Sequence, residues 1–467
     1  MNGMRQRELG CEEAIAVADR LAACPGFAFL DSAAASGGLG RYSFIGIKPF
    51  ARFAVRDGRA FWNGTPLPGA PLDALRDALA RHRLPRADGP VPFRGGAIGG
   101  IAYDFGRRLE RLAEPAEGAG GDEMDFGFYD LVFAVDHSER RAWLFSSGLP
   151  EAEGAAREAR AEARLAEGLA LLREARPARI TGSRSVGPWH SNFTAEGFAE
   201  AVARVQAYIR AGDIYQANIA QRFEAALPAG FDPWAFYKAL RLVNPAPFGA
   251  FLSFGDRMIA SASPERFLSC RDGAVEAHPI KGTARRSPDP AEDAALAARL
   301  VASEKDRAEN VMIVDLLRND LSKVARPGSV AVPKLCELQS FASVHHLVSV
   351  VTNHLRDGLG AADLLAAAFP GGSITGAPKL RAMDIITELE GAARGIYCGA
   401  IGYLGFDGDL DLNIAIRTVT LDQERARFHA GGGITLLSEP EAEYRETLAK
   451  AEGIFAGFVA HAVERPG

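Results

Sequence analysis

Strand-like apolar runs and helix-like segments follow one another in an irregular order along this chain, and that order constrains its fold more than any other feature. The expected strands include 27–30, 41–47, 97–103 and 142–146, and the expected helices include 195–211, 291–319, 378–390 and 439–461. A doubly wound parallel sheet requires a regular alternation of strands and helices, which this sequence lacks. The chain is therefore predicted to be an α+β protein.

A change of composition divides the 467 residues into two segments. Residues 151–175 are rich in Ala, Glu, Arg and Leu and predict a solvated helix, whereas 176–192 carry the Pro, Gly and Ser of a linker. A chain of this length exceeds the size at which a single core usually keeps growing. We therefore expect a strand-rich N-terminal domain over 1–175 and a second domain over 193–460.

Charge, termini and cysteines exclude several classes of function. The net charge is −6 and the sequence pI is about 5.9, and no basic face is present, so no nucleic-acid partner is expected. The N-terminus does not have the pattern of a signal peptide, and no apolar stretch reaches the roughly 18 residues that span a bilayer. The five cysteines are scattered and predict neither a zinc site nor a disulfide framework. We expect a cytoplasmic protein without membrane association.

Two pairs of acidic residues lie at helical spacing. Asp306 and Glu309 are three residues apart, and so are Glu443 and Glu446, which places each pair on one face of its helix. Brought together, the two faces would offer the carboxylate oxygens that magnesium prefers. Taken alone, each pair is more simply explained as a solvated helix surface.

Glycine-rich loops and isolated polar residues are open to more than one interpretation. The loops at 371–379 and 430–434 predict anion sites made of backbone N–H groups, or ordinary turns. Arg417 is expected to end an apolar strand, where its guanidinium is able to pair with a carboxylate. Lys281 is either a surface lysine or a desolvated nucleophile with a lowered pKa. His345 and His346 are neighbours in a predicted strand, so only one of them faces a given pocket.

Seven motifs, in order along residues 193–458, together resemble the chorismate-utilising enzymes. They lie at 263–267, 279–283, 309–320, 344–349, 376–383, 414–418 and 443–447. The N-terminal segment is similar to the first domain of the same family through 29–32 and 41–46. This resemblance implies two packed, largely antiparallel β-sheets surrounded by helices, with chorismate bound by the catalytic domain at 193–460.

The resemblance also implies a set of site residues. It assigns Glu309 and Glu446 to Mg²⁺, with Asp306 and Glu443 acting through water, and the metal would hold the ring carboxylate of chorismate. The substrate-binding residues that it implies are Gly282, Thr283, Ser373, Tyr397, Arg417, Gly431, Gly432 and Gly433. His346 matches the family histidine near the leaving hydroxyl.

Lys281 selects one branch of this family. Lysine in Pro-Ile-Lys-Gly-Thr (279–283) resembles the members that aminate chorismate at C4, whereas the members that aminate at C2 typically carry alanine there. A lysine amine adds at C2 and expels the 4-hydroxyl, and ammonia then displaces the lysine, so that one difficult substitution becomes two easier ones. Glu265 is the candidate general acid and base. The alternatives are 2-amination and a non-catalytic homologue that binds chorismate or tryptophan.

The family further implies a source of ammonia and a second small-molecule site. The sequence has no Gly-x-Cys-x-Gly nucleophile motif, so a separate glutamine amidotransferase subunit is the expected partner. Related proteins bind tryptophan in the N-terminal domain. The residues here that correspond to that site are Ser32, Arg41, Tyr42, Pro247 and Phe248, and a packed cleft is the alternative.

Overall fold

The computed structural model describes residues 4–10, 12–34, 39–110, 112–118, 121–174, 185–340 and 344–463. The strands are β1 (Arg5–Leu9), β2 (Ala28–Asp31), β3 (Tyr42–Gly46), β4 (Ala51–Arg56), β5 (Arg59–Trp62), β6 (Thr65–Pro66), β7 (Gly96–Ile101), β8 (Met124–Tyr129), β9 (Leu131–Asp136), β10 (Arg141–Ser146), β11 (His190–Ser191), β12 (Gln216–Ala226), β13 (Phe248–Phe254), β14 (Arg257–Ser263), β15 (Arg266–Arg271), β16 (Ala274–Ala277), β17 (Ile280–Arg285), β18 (Ala331–Ser340), β19 (Val344–His354), β20 (Gly376–Ala377), β21 (Ala400–Gly405), β22 (Leu410–Ile414), β23 (Thr418–Leu421) and β24 (Arg425–Ile434). The α-helices are α1 (Ala14–Leu21), α2 (Pro71–Arg81), α3 (Gly106–Leu109), α4 (Ala155–Glu174), α5 (Ala195–Ala211), α6 (Pro233–Val243), α7 (Pro290–Val301), α8 (Glu304–Ser322), α9 (Ala361–Ala368), α10 (Lys379–Glu390) and α11 (Pro440–Val463).

The strands form two large sheets whose ladders are antiparallel. The first sheet has the order β1-β10-β9-β3-β2-β13-β14-β23-β24-β12-β11, with β20 also paired to β12. The second has the order β17-β19-β16-β15-β22-β21-β7-β8-β4-β5-β6, with β18 also paired to β19. The predicted α+β fold with two antiparallel sheets is confirmed.

The two sheets pack face to face, and helices cover their outer faces. Buried side chains from both sheets meet between them, among them Phe44 and Trp143 of the first sheet and Ile401 and Tyr403 of the second. Helices α1, α6 and α11 pack on the first sheet, and α2, α8 and α9 pack on the second. This burial of apolar surface on both faces of each sheet is the main stabilising term of the fold.

Both sheets take strands from the N-terminal and the C-terminal segments of the chain. The chain passes from the second sheet to the first at Asp130, between β8 and β9. Residues 176–184 of the expected linker lie outside the described residues. The division into 1–175 and 193–460 stays a prediction about sequence segments, but strands from both segments hydrogen-bond within the same sheets.

The helix predictions are largely confirmed, with one break. Helix α5 begins after Thr194, whose side chain accepts from Gly197 N, and ends at Gly212 in the left-handed conformation. The helix expected over 291–319 is two helices, α7 and α8, because the side chain of Ser303 caps a new N-terminus by accepting from Asp306 N. Among the described helices, none is long and apolar enough to cross a membrane.

Candidate active site

Strands β17 and β19 position Lys281 and His346. The pairing register of the two strands shifts between Lys281 and Thr283, at Gly282, whose φ is +83°. Glycine is favoured there for two reasons: its φ lies in the left-handed region, and a Cβ atom would lie 2.9 Å from Cβ of Asp306 on α8. The irregularity therefore brings α8, which carries the first acidic pair, directly against the strand that carries Lys281.

A short chain of hydrogen bonds links Lys281 to Glu265. The Nζ atom of Lys281 donates to the carbonyl oxygen of Ser373 at 2.9 Å. The hydroxyl of Ser373 donates to Oε1 of Glu265 at 2.9 Å. These three predicted site residues, far apart in sequence, therefore lie together, with Ser373 on the short 3-10 turn Gly372–Ile374.

The environment moves both ionisable groups toward neutral pH. Burial raises the pKa of Glu265 to about 7, against a smaller lowering by the Ser373 hydroxyl and Lys281. Burial lowers the pKa of Lys281, although the carboxylates of Glu309 and Glu265 oppose that shift. Such a carboxyl group both donates and accepts protons near pH 7, and such an amine is more often neutral and nucleophilic.

The two neighbouring histidines point to opposite faces of β19. The Nδ1 atom of His346 lies 2.8 Å from Oγ1 of Thr283, on the face of the candidate site. His345 instead lies between Ser340 and Asp293, at 2.8 Å and 3.1 Å. Burial lowers the pKa of His346 to about 4, so its imidazole is neutral at physiological pH. The structure thus places His346, and not His345, beside the predicted substrate residues.

The acidic pairs of α8 and α11 lie around one region beside Lys281, the candidate cleft, because the charges of Glu309 and Glu446 both act on Lys281. A Cβ atom on Gly432 would lie 3.4 Å from Oε2 of Glu443 and 3.5 Å from Oε1 of Glu446, so these two carboxylates converge. Burial raises the pKa of Glu309, the charges of Lys281 and Lys305 oppose that shift, and those of Asp306 and Glu443 add to it. Within the described residues no three acidic, His or Cys side chains form a ready metal cluster. The oxygen donors nevertheless fit Mg²⁺, which commonly takes one or two carboxylates and several waters.

Strand β24 directs the backbone N–H groups of Gly431 and Gly433 away from its neighbour β12. Asn218 and Ala220 of β12 lie opposite Gly433 and Gly431, yet each bonds through its main chain to groups away from β24. In an antiparallel ladder, both members of such a pair point their N–H and C=O groups outward. Strand β23 pairs with β24 only over 426–428 in the described part of the chain. The N–H groups of Gly431 and Gly433 therefore point to a free strand edge and suit an anionic ligand.

Arg417 and Tyr397 flank that free edge. The prediction that Arg417 ends a strand is wrong. It lies between β22 and β23, with φ of +50°. Its guanidinium donates to Oδ1 of Asn244 at 3.3 Å, and burial lowers its pKa. No carboxylate of the described residues pairs with it, so the guanidinium remains available to a substrate carboxylate. The Tyr397 ring is buried and stacks on His429 with centroids 5.0 Å apart.

Comparison with known proteins identifies the family of the chain. The chain matches the family described as chorismate binding enzyme over residues 27–456. The chain belongs to the chorismate binding enzyme family.

Two of the similar sequences carry the names of two different activities, and a solved structure is similar to this chain over most of its length. This chorismate binding enzyme is 45% identical to aminodeoxychorismate synthase component 1 of Klebsiella aerogenes, over 82% of each chain. It is 39% identical to anthranilate synthase component 1 of Streptomyces coelicolor, over 91% of this chain and 82% of that one. The crystal structure of anthranilate synthase component I from Streptococcus pneumoniae is similar with a TM-score of 0.80 and 36% identity, over 89% of this chain and 92% of that chain.

Sequence reasoning missed one residue of the cleft in this chorismate binding enzyme. Lys450 on α11 donates to the carbonyl oxygen of Gly431 at 2.9 Å and pairs with Oε1 of Glu446 at 2.7 Å. Burial would raise the pKa of Glu446, but the charge of Lys450 lowers it. The signal was present in the sequence, since Lys450 is four residues after Glu446 and therefore on the same helix face.

The five residues of the possible tryptophan site also lie together, outside the cleft. Ser32, Arg41, Tyr42, Pro247 and Phe248 all line a cavity of about 730 Å³ between the two sheets. The hydroxyl of Ser32 donates to the carbonyl oxygens of Tyr42 at 2.6 Å and Pro247 at 3.2 Å. A cavity of this size is in the range of small-molecule sites.

The glycines of β24 give a direct test of the free edge. A Cβ atom on Gly431 would lie 2.4 Å from the carbonyl oxygen of Ile219 and 2.6 Å from Cβ of Ala220, so Gly431→Ala must push β24 away from β12. We expect the KM for chorismate to rise by about 10-fold or more. Gly187→Ala, beside the other end of β12, is the matched control, because its Cβ would meet no heavy atom closer than 3.5 Å. Steady-state kinetics of both variants check this, and equal KM values would contradict it.

Proposed function

We propose that this enzyme aminates chorismate at C4 with ammonia to give 4-amino-4-deoxychorismate, the activity named for its relatives at 45% identity. The observation that carries the proposal is the Lys281–Ser373–Glu265 chain, which joins a nucleophile to a proton carrier. Its product is a precursor of 4-aminobenzoate and hence of folate.

In the first step, Lys281 acts as the nucleophile. Its neutral amine forms a bond to C2 of chorismate, the conjugated ring double bonds shift, and the bond from C4 to the hydroxyl oxygen breaks. Protonated Glu265 gives its proton to the departing hydroxyl, which leaves as water. His346 is neutral and hydrogen-bonded to Thr283. The family resemblance implies that it lies near this hydroxyl, where it would act as a hydrogen-bonding group.

In the second step, ammonia replaces the lysine. Its nitrogen forms a bond to C4, the double bonds shift back, and the bond from C2 to Nζ of Lys281 breaks. The carboxylate of Glu265 takes a proton from the new ammonium group, so the enzyme returns to its starting protonation state. Chorismate and ammonia have then become 4-amino-4-deoxychorismate and water.

The remaining cleft residues bind and orient the substrate. Arg417 and the N–H groups of Gly431 and Gly433 would receive its carboxylates. Mg²⁺, held by Glu309 and Glu446 with Asp306 and Glu443 through water, would neutralise the ring carboxylate when bound. The substrate-binding roles of Gly282, Thr283, Ser373, Tyr397 and Gly432 complete the proposed site.

Product identification tests the proposal against 2-amination, the activity of its anthranilate synthase relatives. The enzyme is incubated with chorismate, ammonium and Mg²⁺, with and without a glutamine amidotransferase subunit plus glutamine. We expect 4-amino-4-deoxychorismate by mass spectrometry and chromatography. Fluorescent anthranilate as the sole product would overturn the choice, and no turnover at all would favour a non-catalytic homologue.

The relatives' name, component 1, supports a second component as partner. We propose that this partner is a glutamine amidotransferase that supplies ammonia. We expect it to make glutamine an effective nitrogen source.

Glu446→Gln tests the metal assignment. Because it removes one of the converging carboxylate charges, we expect the affinity for Mg²⁺, measured by titration calorimetry, and kcat/KM each to fall by on the order of 100-fold. Chelation of Mg²⁺ in the wild type should abolish turnover. Glu441→Gln removes an exposed carboxylate of the same helix and is the matched control. Unchanged metal affinity in Glu446→Gln would remove this residue from the site.

The cavity between the sheets supports a second proposal, that tryptophan binds there. The observation behind it is that all five corresponding residues line one cavity. We expect calorimetry to detect tryptophan binding, and Ser32→Leu, which places a bulkier side chain at the cavity wall, to abolish it. Binding that survives Ser32→Leu would place the ligand elsewhere.

A further inference from the structure

Arg394 is a buried arginine that the proposed mechanism does not use. It lies after the end of α10 and is only 3% exposed. Its Nε and Nη2 atoms donate to the two carboxylate oxygens of Glu390, at 2.9 Å and 2.6 Å. Glu390 in turn accepts from Ala220 N at 2.8 Å, so the ion pair is anchored to β12.

The same guanidinium joins two backbone segments of the site. Nη2 also donates to the carbonyl oxygen of Asn218 at 2.7 Å, and Nη1 donates to that of Ile374 at 3.2 Å. Ile374 is the last residue of the turn that carries Ser373. Two carbonyl oxygens thus converge on one cation, and without that cation both would be buried as unpaired acceptors.

Two tyrosine rings complete the surroundings of the guanidinium. Its carbon atom lies 4.7 Å from the centroid of Tyr103 and 5.6 Å from that of Tyr397. Cations over aromatic faces are attracted to them, and more so when desolvated. Arg394 therefore contacts the ring of a proposed substrate residue and the turn behind the acid–base residue at the same time.

We propose that Arg394 is a positioning residue that fixes the Gly372–Ile374 turn against β12 and thereby aligns Ser373 with Glu265 and Lys281. Ser373 is the only link between the two in the hydrogen-bond chain described above, through its hydroxyl and its carbonyl oxygen. A shift of the turn changes both contacts together. The expected change in kcat rests on the proposed function. The expected change in the position of the turn does not depend on any substrate.

Arg394→Lys and Arg394→Met test the proposal. Lysine keeps the charge but cannot donate to Glu390 and to both carbonyl oxygens in the planar fork of arginine. We expect kcat for C4 amination to fall by about 100-fold in Arg394→Lys, and further in Arg394→Met, with a smaller change in the KM for chorismate. The limb of the pH profile that belongs to Glu265 should move to higher pH, because Glu265 loses the hydroxyl that stabilises its charged form.

Amide hydrogen exchange supplies the readout that needs no turnover. We expect faster exchange in peptides that cover 371–377 in both variants, with exchange elsewhere largely unchanged. The matched control is Arg164→Lys, which alters a partly buried arginine that pairs with a buried carboxylate and donates to a backbone carbonyl, far from the turn. It should change neither the exchange of 371–377 nor the pH profile.

The outcomes are distinct. A wild type without C4 amination would refute the proposed function, while exchange at 371–377 would still decide the role of Arg394. The proposal would be overturned if the Arg394 variants showed the same exchange at 371–377 and the same pH profile as Arg164→Lys. If neither variant of Arg394 folds, Arg394 is a folding residue and the proposal is also overturned.

Discussion

Replacement of Lys281 by alanine should reduce the formation of 4-amino-4-deoxychorismate by at least about 1,000-fold while the protein stays folded. The amine is the only nucleophile in the proposed first step, and its Nζ atom is held 2.9 Å from the Ser373 carbonyl oxygen, beside Glu265. The one hydroxyl in its hydrogen-bond chain, that of Ser373, already donates to Glu265. Ammonia would then have to displace the 4-hydroxyl in a single step.

Lys281→Arg is the matched control for charge. Arginine keeps a cation beside Glu309 and Glu265 but does not supply a neutral amine, since it stays protonated. We expect it to be as inactive as Lys281→Ala. In the wild type, rapid acid quench and mass spectrometry should reveal a peptide containing Lys281 that has gained one chorismate and lost one water. Wild-type turnover by Lys281→Ala would eliminate the nucleophile role, whatever the effect of Lys281→Arg.

Glu265→Gln should lose activity and gain stability, and the gain should depend on pH. Burial raises the pKa of Glu265 from 4.5 to about 7. Below pH 4.5 the group is protonated in both the folded and the unfolded chain, so it has no net effect. As the pH rises to 7, only the unfolded chain ionises, and the folded state loses up to about 3 kcal/mol of stability. Glutamine is neutral throughout and avoids this loss.

Unfolding measured at two pH values checks that prediction. We expect Glu265→Gln to raise the free energy of unfolding by up to about 3 kcal/mol at pH 8 and by almost nothing at pH 4.5, while kcat falls by about 100- to 10,000-fold. Glu276→Gln, which removes a half-exposed carboxylate from the same sheet, should show neither effect. A gain that does not depend on pH would mean that the pKa of Glu265 is not raised.

Much of the site could be predicted from sequence because its residues lie in short local patterns. The helical spacing of Asp306 with Glu309 and of Glu443 with Glu446 placed each pair on one face, and the strand period separated His345 from His346. Such patterns depend on backbone geometry alone. They are therefore readable without the tertiary structure.

Other features depend on contacts between distant segments and could not be predicted. Arg417 lies between β22 and β23 with positive φ instead of ending a strand. The role of Lys450 required knowing that α11 lies against Gly431. No local pattern specifies these neighbours.

By itself, the sequence determined the fold class, the resemblance to the chorismate-utilising enzymes and the residue types able to act on such a substrate. Only the tertiary structure decided that both sheets are shared by the two segments, that β24 has a free edge at its glycines, and that Glu265 titrates near pH 7. The physical reason is that helix and strand periodicity and the chemistry of each side chain are local properties of the sequence. Strand pairing, burial and the desolvation of charge are set by residues hundreds of positions apart.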